Sequence, residues 1–232
     1  MYNYITERMA IILYDGMALD LPGVERDILE YENFLISSYG GSWKGQEIKI
    51  INVKEWEKEQ IKKLCQSCAN KYLLLIFVGH GAQDSNSNTY FLAKRNIPCY
   101  VKEINNFARK QVTIVDCCRV WVPSLISESA MEKIAQVQTD TSADFFNLLN
   151  RANDQHITLY ACLQSQKASD ACSYSHCLMN CAYRALQGKT NKYVSVEGAH
   201  KLASKAIAHL QTPEICPYSD SIGSDIPFAI TL

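Results

Sequence analysis

Five short, largely apolar runs, separated by segments of helical period, are the feature that most narrows what this chain can fold into. They are MAIILY (Met9 to Tyr14), EIKIINV (Glu47 to Val53), YLLLIFVG (Tyr72 to Gly79), VTIVD (Val112 to Asp116) and ITLYAC (Ile157 to Cys162). A strand covered on one face alternates apolar with polar residues, whereas a strand covered on both faces does not. The runs therefore read as buried strands of a mainly parallel sheet. The segments between them supply the crossover helices that parallel connections need. From Gly23 to Ser37, Val24, Ile28, Tyr31 and Leu35 share one side, while Glu25, Arg26, Glu30 and Glu32 are expected to face water. Lys54 to Ala69 repeats the pattern with Trp56, Ile61, Leu64 and Cys68. Ala143 to Arg151, His176 to Gln187 and Val196 to Leu210 are further helices, the last stopped by Thr212-Pro213. The final PFAITL is expected to add a closing edge strand.

Composition supports a folded core and excludes some partners. With 232 residues, 47% in the hydrophobic set, 20% charged and a net charge of -1, one domain over 1–232 is expected. Nothing suggests a nucleic-acid surface. The first apolar stretch has six residues, too short for a signal sequence or a membrane span, so a cytoplasmic protein is expected. In that setting the ten cysteines read as reduced thiols, most of them small buried hydrophobes. Cys65-Gln66-Ser67-Cys68 and the cluster Cys172, His176, Cys177 and Cys181 lack a matching partner pair at finger-like spacing, so no metal is expected. Trp43 and Trp56 read as packing residues, and Trp121 as packing or a groove wall.

Sites in such sheets form beyond the carboxyl ends of the strands. Two of the runs end in reactive chemistry, one at Gly79-His80-Gly81 and the other at Asp116-Cys117-Cys118. An imidazole beside a thiol takes its proton or stabilises the thiolate, which makes a nucleophile. Glycines flanking the histidine allow a sharp turn and close approach of substrate. The Gly81 and Cys118 amides are placed to donate to an oxyanion.

An apolar strand ending in Gly-His-Gly, followed by one ending in Asp-x-Cys, resembles the caspase and metacaspase family of cysteine peptidases. Similarity extends along the chain: DLPGVERDILEYENFL after the first strand, LYACLQSQKASDA around the fifth, HCLMNCAYRAL as the next helix and the closing QTPEICPYSDSIGSDIPFAITL. The resemblance implies a caspase-like α/β fold with about six strands and helices on both faces. It makes Cys118 the nucleophile, His80 the base, and Cys117 a neighbour pointing back to the core. A large-subunit-like part is implied over 1–120, an exposed loop over 121–141 and a small-subunit-like part over 142–232. Leu21 stands about where Asp-specific members carry an arginine. Asp116 and Asp170 match acids of the metacaspase pocket, and Asp27 is a third candidate at a position where caspases also carry an acid; such a pocket implies cleavage after Arg in preference to Lys. Lys133 is an expected self-processing site, with Arg119 as an alternative. The chain departs from the family in continuing Cys118-Arg119-Val120 rather than Cys-x-Ser-Gly. It also supplies only Asp84 where calcium-dependent members carry an acidic cluster, which argues against calcium activation; no cofactor is expected. The implied partner is a protein substrate, such as a pore-forming effector in defence or cell death, with the chain either a monomer or a dimer through its last strand. Two other classes stay open: a catalytically silent module pairing through PFAITL, and a hydrolase of small amides using the same dyad.

Overall fold

The computed structural model of the chain describes residues 4–16, 23–117, 119, 139–168, 173–187, 192–216 and 225–231. In chain order the elements run β1 (Arg8–Tyr14), α1 (Gly23–Ile36), β2 (Ile48–Asn52), α2 (Lys58–Gln66), β3 (Tyr72–Gly79), β4 (Ala82–Gln83), β5 (Thr89–Leu92), β6 (Pro98–Tyr100), α3 (Val101–Ile104) and β7 (Lys110–Cys117). They continue with α4 (Ser142–Arg151), β8 (Gln155–Tyr160), α5 (Tyr174–Gln187), β9 (Tyr193–Ser195), α6 (Val196–Ile207), β10 (Glu214–Cys216) and β11 (Pro227–Ile230). Six strands form the central sheet in the order β10-β8-β7-β3-β1-β2. Every pair in it is parallel except β10 with β8. The five apolar runs are its five parallel strands, with limits that move by a residue or two. This is the caspase-like α/β fold expected from the sequence.

Strand parity sorts the interior into two cores. All eight residues of β3 are buried. Its Leu74, Ile76 and Val78 pack on one face with residues of α1, α4, α5, α6 and β11. Leu73, Leu75 and Phe77 pack on the other with Ile61 of α2, Phe91 of β5 and Val101 and Ile104 of α3. Adjacent residues of a strand point to opposite faces, so β7 splits likewise: Val112 and Ile114 belong to the first core, Val115 and Cys117 to the second. Cys65 and Cys68 fill the second core and Cys177 the first. No disulfide forms among the described cysteines. Among the described residues no helix is long and apolar enough to cross a membrane.

Two expectations change, and short strands appear that the sequence pattern did not show. PFAITL does not join the central sheet: β11 pairs antiparallel with β9, its four residues are buried, and the Ile230 amide donates to the Tyr39 carbonyl. The edge next to β8 is instead β10, three residues too short and too mixed to show a period. The hairpin strands β4, β5 and β6 form a small separate sheet. Glu30, expected in water, is buried, because α5 packs across the face of α1 that the sheet leaves open.

Candidate active site

Strands β3 and β7 are parallel neighbours, and their register pairs Gly79 with Cys117. The histidine-bearing and cysteine-bearing segments thus leave adjacent strands at one level. Gly79 has φ +141°, and a Cβ there would lie 2.8 Å from the Asp15 Cβ. Only glycine fits this last position of β3. The chain then presents His80 to solvent, passes Gly81 and turns back through β4. The Ser165 amide donates to Gln83 Oε1 at 3.2 Å, tying that hairpin to the loop after β8. Asp84 is engaged within its own turn, accepting from the Asn86 and Asn88 amides and from Asn88 Nδ2. Among the described residues no group of three His, Cys, Asp or Glu side chains is placed to hold a metal.

Cys117 is buried beside Phe77, Phe91 and Val115, so its thiol faces the second core. Cys118, one peptide bond further, lies outside the described residues, as do Asp170, Lys133, Leu21 and Trp121. Arg119 is described, and its part was missed from the sequence. Its side chain is 3% exposed. Nη1 donates to the Cys162 carbonyl at 3.0 Å and to Glu214 Oε2 of β10, Nε donates to Thr89 Oγ1 at 3.3 Å, and the guanidinium lies 4.1 Å over the Tyr160 ring. Its amide donates to the Gln166 carbonyl at 3.1 Å. This residue pins the chain after position 118 to three strands, and its burial removes it as a self-cleavage point. A buried arginine held by one carboxylate leaves no sequence period, which is why it was overlooked.

Asp27 and Asp116, distant in the chain, are brought together. Both are buried. Asp116 stands opposite Val78 of β3 at the end of β7. Its Oδ2 accepts from the Ser175 amide at 2.8 Å and the Ser175 hydroxyl at 2.6 Å, at the start of α5. A helix N-terminus and two donors favour a negative charge at Asp116. Asp27 has less support: its Oδ1 accepts from Ser173 Oγ at 2.9 Å. Burial, and then the neighbouring Asp116 charge, push its carboxyl up to about 8. At neutral pH Asp27 therefore holds its proton.

A mainly parallel six-stranded sheet whose histidine-bearing and cysteine-bearing strands end side by side, with a buried carboxylate pair nearby, is an arrangement suited to cysteine hydrolase chemistry. A sequence profile of the caspase domain matches residues 7–219, and the chain belongs to that family. The family is one of cysteine peptidases that act on protein substrates. Among solved structures the chain is similar to that of Caspase-1 from Spodoptera frugiperda, at 12% identity and a TM-score of 0.53, over 92% of this chain and 89% of that one. At that identity the likeness speaks for the fold. No curated protein sequence matches the chain.

Proposed function

We propose that the chain is a cysteine endopeptidase that cleaves after basic residues, Arg in preference to Lys, with Cys118 as nucleophile and His80 as base. His80 takes the thiol proton, and the thiolate adds to the scissile carbonyl. The resulting oxyanion is received by the Gly81 and Cys118 amides. The C–N bond then breaks, the imidazolium proton goes to the leaving amine, and a thioester remains. Water, deprotonated by His80, attacks the thioester; the C–S bond breaks and the acid product leaves with the thiol restored. The observation that carries this reading is the register pairing of Gly79 with Cys117, which supports a base and a thiol side by side at the sheet rim. Burial of Cys117 supports Cys118 as the working sulfur.

Selectivity is assigned to Asp27 and Asp116, with Asp170 as a third wall. The raised carboxyl of Asp27 supports it: a buried acid pair that keeps a proton at neutral pH gains most from an entering cation. The guanidinium fork engages two carboxylates at once, which favours Arg. Lys133 then suits self-processing. Family resemblance alone extends the role to a cytoplasmic protease activating a defence or cell-death effector, such as a pore-forming protein.

Fluorogenic peptides ending in Arg, Lys, Asp or Leu, given to the wild type and to Cys118→Ala and His80→Ala, test the reading. Turnover of Arg over Lys, lost in both variants, is expected. Turnover of none of the four favours a binding module, and cleavage only after Asp removes the acidic pocket while leaving the dyad.

A further inference from the structure

The acidic pair has neighbours that its charge does not explain. Glu30 of α1 is 6% exposed. Its Oε2 lies 3.0 Å from His176 Nδ1 and its Oε1 lies 3.5 Å from Arg26 Nε. The same Arg26 Nε lies 3.6 Å from Asp27 Oδ1. Ser173, which donates to Asp27, accepts in turn from the His176 amide at 3.1 Å. Among the described residues the charged and titratable groups around Asp27 are thus Asp116 from β7, Arg26 and Glu30 from its own helix, and His176 from α5. Tyr31 and Tyr174, which also border the pair, stay neutral because burial pushes their hydroxyls up.

Asp27 and Glu30 therefore share one guanidinium. At 3.5 and 3.6 Å that guanidinium is within ion-pair reach of Asp27 and Glu30. Charge-assisted hydrogen bonds are shorter, about 2.7–2.9 Å, so neither of these two contacts is a close one. Its side chain keeps 22% exposure, so it has somewhere to go when displaced.

We infer that Arg26 sets the selectivity of the acidic pocket, as a resident cation that competes with the basic side chain of the substrate for Asp27. This rests on the reading of Asp27 and Asp116 as the substrate pocket. A substrate arginine displaces Arg26 on equal terms at Asp27 and adds a second carboxylate through its fork. A substrate lysine is a compact, strongly hydrated point charge and depends on the net negative field, which Arg26 weakens. The resident cation therefore costs lysine substrates more than arginine ones, and Glu30, by drawing Arg26 away from Asp27, limits the competition.

The test is steady-state kinetics on fluorogenic Arg and Lys peptides with Arg26→Gln and Glu30→Gln. In Arg26→Gln the KM for Arg peptides falls about 10-fold, as expected for loss of a charge within 4 Å, with kcat within about twofold. The KM for Lys peptides falls further, so the Arg/Lys ratio narrows. In Glu30→Gln both KM values rise, because Arg26 is left to Asp27 alone. A purely structural ion pair would lower stability in both variants without moving KM in opposite directions. If Arg26→Gln does not fold, the rise in Glu30→Gln carries the test. Unchanged KM values in variants of an active enzyme overturn this inference alone, whereas a wild type that cleaves no basic peptide removes the pocket reading and this inference together.

Discussion

Replacing Asp27 with Asn removes one titration and leaves nearly the same shape, so its effect on stability against pH is calculable. A carboxyl held up to about 8 in the fold but at its ordinary value near 4 in the unfolded chain binds its proton more tightly when folded. Between those values the native state holds the extra proton, so stability falls as pH rises, by about 1.4 kcal/mol per pH unit. The stabilising contribution is complete below the unfolded value and gone above the folded one. His200 works the other way. It is buried against Tyr174, whose hydroxyl is 2.7 Å from its Nδ1, and burial lowers it to about 4. The unfolded chain takes up that proton near pH 6.5, so His200 contributes stability above that pH and loses it as pH falls toward 4. The two slopes offset each other between about 4 and 6.5, and the Asp27 slope stands alone from 6.5 to 8. Over that window the wild type loses about 1.5–2 kcal/mol from this group, or a Tm drop of roughly 3–8 °C for a chain of this size. Thermal unfolding followed by circular dichroism at half-unit steps reads it directly. The Asn variant, able to keep the Ser173 bond and donate to Asp116, should show a flatter curve and overtake the wild type by pH 8. Parallel curves for the two proteins from pH 6.5 to 8.5 would refute both the raised carboxyl and the charge argument built on it.

Other expectations follow from single positions. Gly79→Ala forces a Cβ to 2.8 Å from Asp15 and a positive φ onto an L-residue; a loss of about 2–4 kcal/mol in urea unfolding is expected, with peptidase activity falling further than stability because His80 comes next. Cys117→Ala empties a small volume in the second core and should cost about 1 kcal/mol while leaving most peptide turnover, and abolished turnover there with activity kept in Cys118→Ala would mean the other thiol does the chemistry. Arg119→Met keeps the stem packed on Tyr160 but strips three hydrogen bonds; a loss of about 2–3 kcal/mol is expected, since Glu214, 28% exposed, can turn to water, and faster hydrogen exchange at the Ile215 and Cys216 amides should localise it to β10.

Local pattern was enough for much of this. Burial on both faces leaves an apolar run without alternation, so each parallel strand could be read from its own residues, and Gly79-His80-Gly81 and Asp116-Cys117-Cys118 announced themselves at strand ends. The direction of Cys117 came with the family resemblance, and its place in the second core agrees with it. The acids were found through family resemblance rather than period. β10 and the β4–β6 sheet were not legible, being too short to carry a repeat.

What the chain alone determined, then, is the five parallel strands, their burial and the two chemical endings, since periodicity and the flexibility of glycine are properties of a few adjacent residues. Which strand lies beside which, and so the level at which those endings emerge, was decided by the sheet. So were the pairing of Asp27 with Asp116, the burial of Glu30 under α5, the seat of Arg119 and the removal of β11 from the sheet edge. A helix with a charged face reads as solvated until another element covers it, and a carboxyl keeps its ordinary affinity for protons until a distant segment takes away its water. Those costs and compensations exist only between parts far apart in sequence, so only the folded arrangement can set them.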